Sequence, residues 1–361
     1  MNILFILLAV LLLGIIVTVH EWGHFFSARI VGIPVKEFSI GFGPTLFSWK
    51  SKKHNTIFKL SAIPMGGYCM YYGETASDPE ALKAGEETLE ATDSRLYMNH
   101  SPWKRIFTIL AGPVMNFVLA VVVAIVMVAN FGGKIESFRI TEFTENSPAH
   151  TAGLQVGDEI LSVEGISVLD GTQNGLRNAI NAKATPGTAL QFEVLRNGER
   201  LQIAMTPDYI ESEQRYAIGV GIMPVLGKLE AKNVIPEALH YTKQASTAMI
   251  DALGKLFTTG EGFDQTSGPI GVVKVVSEQT KTGGFAMYLN LAVIISINLG
   301  LVNLLPIPGL DGARFIFTFI EAIRKKPINQ KIEGYIHMTG MLFLFGLLAF
   351  LTLRDVLNIF R

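Results

Sequence analysis

The chain has 361 residues, 30 Lys and Arg against 31 Asp and Glu, and a formal net charge of -1, so no basic surplus stands ready for nucleic acid. Hydrophobic residues make up 49% and charged residues only 17%, with a mean hydropathy of +0.36, a balance that points to a membrane protein rather than an ordinary soluble domain. The single cysteine, Cys69, excludes an intrachain disulfide and a Cys-rich zinc site, so a metal here needs His and carboxylate ligands.

Ile3 to Val19 carries no charge and one hydroxyl, Thr18. It lacks the positive start and small-residue cleavage site of a secretory signal, and reads as a retained first transmembrane helix over residues 3–30. The run leads into His20-Glu21-Trp22-Gly23-His24. Two histidines four apart share one helical face, so both imidazoles can reach one metal ion while Glu21 handles a proton. This is the HExxH pattern of zinc hydrolases; the other reading is an interfacial helix end with solvated side chains. Ionisable groups at membrane depth are costly and tend to mark function.

Residues 35–72 alternate apolar and turn residues around the basic cluster Lys50, Lys52 and Lys53, which predicts short strands and hairpins. Beside a membrane helix, such a β region must lie at the interface or be buried in protein. Residues 74–99 read as an exposed acidic loop. Residues 106–130 form a second span with Ala111-Gly112-Pro113, a kink or a close helix approach, and Asn116, which needs a partner inside the bundle.

Residues 132–223 are soluble in character. Pro148-Ala149, Ala152-Gly153-Leu154 and Gly157-Asp158 through Val163-Glu164-Gly165 resemble a PDZ domain of the circularly permuted bacterial type, with an Asn197-Gly198 hairpin further on. PDZ domains bind extended chains by strand addition, although a spacer that binds nothing fits the same pattern. Residues 224–285 read as a linker with one amphipathic helix, Pro236 to Leu256, suited to a membrane surface. A third span covers residues 286–320, broken at Pro306-Ile307-Pro308-Gly309-Leu310-Asp311-Gly312 and resuming as helix at Phe315. A fourth covers residues 335–353.

The elements predict an α-helical polytopic membrane protein with four transmembrane helices, a membrane-associated β-hairpin region and an inserted extracytoplasmic PDZ-like α+β domain. Residues 1–131 and 286–361 would form the membrane domain. Basic residues cluster between spans one and two and, as Arg324, Lys325, Lys326 and Lys331, between spans three and four, which makes both loops cytoplasmic. Both termini and the PDZ-like region then lie outside. His20, His24 and Asp311 arrive at one depth near the cytoplasmic side. Asp311 is either the third metal ligand or a helix N-cap after the prolines, and spacing does not separate the two.

These motifs, together with Phe38-Ser39-Ile40-Gly41-Phe42-Gly43-Pro44, Ala111 to Asn116, Ser267-Gly268-Pro269-Ile270-Gly271 and Asn303 to Gly312, resemble the site-2 protease family (M50), in its bacterial RseP-type branch. The likeness runs in order along almost the whole chain. It implies an intramembrane zinc metalloendopeptidase of the bacterial inner membrane, with zinc on His20, His24 and Asp311 and Glu21 as the catalytic glutamate. It also implies that Asn303 helps hold substrate and that the Gly66-Gly67 region forms a membrane-dipping β-loop that pairs with it. Substrates would be single-span membrane proteins, such as an anti-sigma factor or remnant signal peptides, already trimmed outside by another protease and screened for size by the PDZ-like region. Two departures stand out: many members continue Leu-Asp-Gly-Gly-His where this chain has Leu310-Asp311-Gly312-Ala313-Arg314, and there is room for one PDZ module rather than a tandem. The alternatives are a catalytically inactive PDZ-bearing membrane scaffold, which the intact His20, Glu21, His24 and Asp311 argue against, and a transporter, for which the four spans offer no internal repeat.

Overall fold

A computed structural model describes residues 3–74, 83–84, 87–90, 92–132, 134–145, 147–169, 174–227, 229–263 and 266–359. The chain divides into two compact units, one of Met1–Ala124 with Leu239–Arg361 and one of Ile125–Ala238.

The first unit opens with helix α1 (Ile3–Val31), apolar all round as a membrane span must be. Its buried face holds Ala9, Leu12, Ile16, His20, Gly23, His24 and Ser27, spaced at three and four residues, while Leu4, Leu7, Leu11, Ile15, Trp22 and Phe26 are exposed. Polar groups therefore face inward and large apolar ones outward, the reverse of a soluble helix. Strands β1 (Val35–Lys50) and β2 (Ile57–Tyr71) follow. The sequence predicts several short strands here; the structure has two long ones that bend and fold back. Residues 35–40 pair on one side with 57–60 and on the other with 67–71, and residues 45–50 pair with 57–61. The bend falls at Gly41 and Gly43, both at φ +85°, a conformation other residues adopt only with strain. The result is four ribbons with 45–50 and 67–71 as the outer edges: both outer pairings are antiparallel, and the central pairing of 37–40 with 57–60 runs parallel. Val35, Tyr71 and Tyr97 pack with Ala28 and Ile33 to root the sheet on the end of α1. Residues 75–82, 85–86 and 91 of the predicted acidic loop lie outside the described residues; the two-residue strands β3 (Lys83–Ala84) and β4 (Glu87–Thr88) fall within the loop. Helix α2 (Pro102–Phe131) is next, with Pro113 inside it.

The second unit is an α+β module. Strand β5 (Lys134–Phe143), helix α3 (Pro148–Thr151), strands β6 (Glu159–Val163) and β7 (Ile166–Ser167), helix α4 (Gly175–Lys183) and strands β8 (Leu190–Arg196), β9 (Glu199–Met205), β10 (Asp208–Ile210), β11 (Arg215–Ala217) and β12 (Val220–Gly227) follow one another. The main sheet runs β12-β5-β6-β8-β9, with β7 on β6 and every pairing antiparallel. Leu190, Phe192 and Val194 alternate into the core, where they meet Phe138, Ile160, Val163 and the α4 residues Leu176, Ala179 and Ile180. Asn197 and Gly198 both take positive φ, as a two-residue hairpin of the right twist requires. Asp158, 2% exposed, accepts two bonds from Arg196 and one from the Gln155 N–H. Burial pushes its carboxyl up, but these bonds outweigh that and hold it below the usual carboxylate range.

Helix α5 (Ala231–Thr259) and helix α6 (Pro269–Asn303), bent at Gly284, occupy the stretch expected to be a linker with a single helix. Pro269 starts α6 because its missing N–H costs nothing at a first helical position. The Asp355 carboxylate accepts from the Gly271 N–H at 2.7 Å, closing that helix end. The helix therefore extends N-terminally of Ala286, with Gly284 (φ +65°, ψ -157°) breaking its regular geometry two residues before the expected start of the third span. After Asn303 the ladder fails at Pro306 and Pro308, and helix α7 (Asp311–Arg324) restarts at Asp311, four residues earlier than expected. Helix α8 (Gln330–Ile359) ends the chain. Four helices, Ile3–Val31, Pro102–Phe131, Pro269–Asn303 and Ile332–Leu357, are long and apolar enough to cross a membrane.

Candidate metal centre

One helical turn of α1 brings His20 and His24 together, with Nε2 atoms 3.3 Å apart and rings edge to face. Asp311 joins them from a residue nearly three hundred positions away. Its Oδ2 lies 3.1 Å from His20 Nε2 and 3.3 Å from His24 Nε2. Both histidines are buried, and Asp311 is 15% exposed. Asp311 is the first residue of α7, Leu310 occupies the cap position, and no side-chain cap bond forms there. The carboxylate is aimed at the imidazoles instead.

The opposite ring nitrogens define what these atoms present. His24 Nδ1 lies 2.9 Å from the Thr108 carbonyl, so it carries the proton and leaves Nε2 as a lone pair. His20 Nδ1 lies 3.1 Å from the side-chain amide of the fully buried Asn116. The nearer amide atom is Asn116 Nδ2; with the amide turned over, Oδ1, otherwise without a partner, accepts from Nδ1–H and His20 also offers Nε2. Ser296 on α6 holds the Asn116 carbonyl at 2.8 Å. Three acceptors then face one another in a buried space, and no donor among the described residues reaches Asp311 Oδ2 in bonding geometry. Such crowding of lone pairs is unfavourable without a cation between them. The three atoms lie within 4.8 Å of one another, and two imidazoles with one carboxylate are a familiar zinc donor set that leaves a position open.

Thr108, Gly112 and Asn116 stand four apart on α2 and all serve this cluster. A β-carbon at Gly112 would sit 2.3 Å from His24 Nε2, so only glycine lets α2 pass. This stripe of small and polar residues at helical spacing was visible in the sequence, yet its target was not. Asn303, at the end of α6, places Nδ2 3.3 Å from His20 Nε2, against the cluster itself.

Glu21 lies on the same helix, beside the edge ribbon of the sheet. A β-carbon on Gly67 would lie 3.2 Å from Glu21 Cγ and 2.7 Å from the Ser39 carbonyl, so the Gly67 backbone is pressed between the sheet and this carboxylate. Gly66, at φ +133°, has the Phe42 ring where a side chain would go. Gly67 to Tyr71 pairs with residues 35–40 on one side, and no strand among the described residues pairs its other side.

Membrane-length helices around a buried two-histidine, one-carboxylate cluster with a glutamate alongside define a membrane protein of the metal-dependent hydrolase class. A model of peptidase family M50 matches residues 8–347. A protein of Agrobacterium fabrum named as a zinc metalloprotease is 32% identical over 360 residues, covering 96% of this chain and 94% of that one. The regulator of sigma-W protease RasP of Bacillus subtilis is 29% identical over 422 residues, covering 97% and 98%. A solved PDZ domain of an SdrC-like protein from Listeria monocytogenes aligns with 24% of this chain and 88% of that one at 16% identity and a TM-score of 0.22, too slight a likeness to argue from. The chain belongs to peptidase family M50, as its motifs implied, and is a zinc metalloendopeptidase.

Proposed function

We propose that this enzyme hydrolyses peptide bonds within single-span transmembrane segments, with zinc held by His20, His24 and Asp311 and with Glu21 as the proton carrier. What chiefly supports the reading is the convergence of three metal-type donors beside Glu21 and an open strand edge. When bound, zinc supplies Lewis acidity toward a water molecule and the scissile carbonyl. Glu21 takes the proton of the attacking water and returns it to the leaving amine. A transmembrane helix hides its peptide bonds in its own hydrogen bonds, so a substrate must unwind before it can be cut. The free side of Gly67–Tyr71 offers replacement backbone bonds to the extended chain, with Gly66 and Gly67 keeping that edge close to Glu21. Asn303 supplies a side-chain amide to the same space.

In this reading the enzyme sits in a bacterial inner membrane, and the basic residues between the first and second and between the third and fourth spans support an orientation with both termini and the PDZ-like unit outside and the catalytic residues near the cytoplasmic side. The substrates in this reading are anti-sigma factors or remnant signal peptides, trimmed outside by another protease. RasP of Bacillus subtilis bears the name of a sigma-W regulator, which accords with the former. Purified protein in detergent should cut a tagged single-span peptide, lose that activity with a zinc chelator and regain it with zinc. Activity that survives complete zinc removal would refute the metal assignment. The PDZ-like unit acts in this reading as a size filter. Deleting residues 132–227 should let a substrate with a bulky outer domain be cut; unchanged selectivity counts against the filter.

A further inference from the structure

Arg314 makes a contact that the reaction itself does not call for. It lies one turn after Asp311 on α7, on the same helical face. Its guanidinium pairs with the carboxylate of Glu74, 240 residues away in sequence. The second oxygen of Glu74 accepts from the Tyr71 N–H at 3.2 Å. Tyr71 ends the open edge ribbon, and its hydroxyl donates to the His24 carbonyl at 3.3 Å. Tyr71 also stacks on Tyr97, with ring centroids 4.8 Å apart. A continuous set of bonds therefore runs from the helix that bears Asp311, through Arg314 and Glu74, to the edge ribbon and back to the helix that bears His20 and His24.

We infer that Arg314 and Glu74 form a strap that sets the edge ribbon Gly67–Tyr71 at its working distance from Glu21, making both positioning residues for substrate. The inference rests on the proposed role of that ribbon as the substrate's pairing edge. The Arg314 side chain is 46% exposed, so the ion pair contributes little to stability. What it does is direct the two oxygens of Glu74 to different elements, one to α7 and one to the ribbon. Misplacing a pairing edge by about 1 Å costs up to roughly a hundredfold in rate or binding, far more than the pair is worth to the fold.

The test uses the purified full-length protein and four variants: Glu74→Gln, Arg314→Gln, the two combined, and Arg314→Lys. Steady-state cleavage of a tagged single-span peptide, zinc content, and hydrogen exchange at the Gly67 to Tyr71 amides are read on each. Glu74→Gln keeps an oxygen for the Tyr71 N–H but loses the charge that Arg314 holds. Each Gln variant should raise KM about tenfold with kcat within about twofold, the pattern of lost substrate positioning. Zinc content should match wild type, and exchange at the ribbon should quicken. The double variant should be no worse than either single, as for two residues acting through one contact. Arg314→Lys should recover most of the lost KM. Wild-type KM and exchange in the Gln variants overturn the strap; so does loss of zinc, which would make Arg314 a support for the metal alone. Exchange does not depend on cleavage. If wild type fails to cut the peptide, the proteolytic reading falls, and the strap is decided by whether the ribbon loosens.

Discussion

Replacing Glu21 by Gln leaves zinc bound at about one ion per chain and removes peptide-bond cleavage, a loss of at least a hundredfold and up to about ten-thousandfold. The substitution keeps the size of the side chain and its place between α1 and the Gly67 backbone. It removes only the ability to take a proton and give it back. Glu21 is not among the three converging donor atoms, so the metal site should be indifferent to the change. Cleavage of a tagged single-span peptide and zinc content on the same samples check both halves. Retained cleavage would exclude Glu21 as the proton carrier. Lost zinc would mean that Glu21 helps hold the ion.

Gly112→Ala should be nearly as damaging, by a different route. A methyl group there would lie 2.3 Å from His24 Nε2 and 2.5 Å from Cε1. His24 has no room to turn away, because its Nδ1 is bonded to the Thr108 carbonyl one turn earlier on the same helix. Either the bond to Thr108 breaks or α1 and α2 separate, and both pull Nε2 away from His20 and Asp311. Loss of an orienting partner of a metal-bound His typically costs 10–100-fold in metal affinity, and the displaced ligand should cost at least about that much. The measurement is zinc occupancy against a buffered series of free zinc. Gly254→Ala in α5 is the control, since a β-carbon there meets nothing within 4 Å. Equal zinc affinity in Gly112→Ala and wild type would contradict the close passage of α2 over His24.

Local patterns carried a good deal of this protein. The His20-Glu21-Trp22-Gly23-His24 spacing needs only the pitch of one helix to bring two imidazoles together, so it was readable before any tertiary contact was known. The long apolar runs predicted four spanning helices, because the length and composition that a bilayer demands are properties of contiguous sequence. The Asn197-Gly198 turn was legible for the same reason: two adjacent residues set the backbone conformation of a hairpin. The helix from Pro269 up to the break at Gly284 was missed, since its Lys274, Glu278 and Lys281 interrupt the apolar run that marked the third span.

By itself, the sequence determined the helices, one pair of candidate ligands, the adjacent glutamate and the family likeness. Only the tertiary structure decided whether Asp311 faces the imidazoles or caps α7, because helix restart and side-chain aim depend on where α6 breaks relative to α1. It also decided that Asn116 orients His20, that Gly112 leaves room for His24, and that residues 35–40 are flanked by two ribbons of β2, leaving Gly67–Tyr71 as an open edge beside Glu21. Each of these joins residues far apart in the chain, so none leaves a periodic trace in the sequence. The chemistry is encoded locally, but the position of each group is set by how the helices and the folded sheet pack against one another.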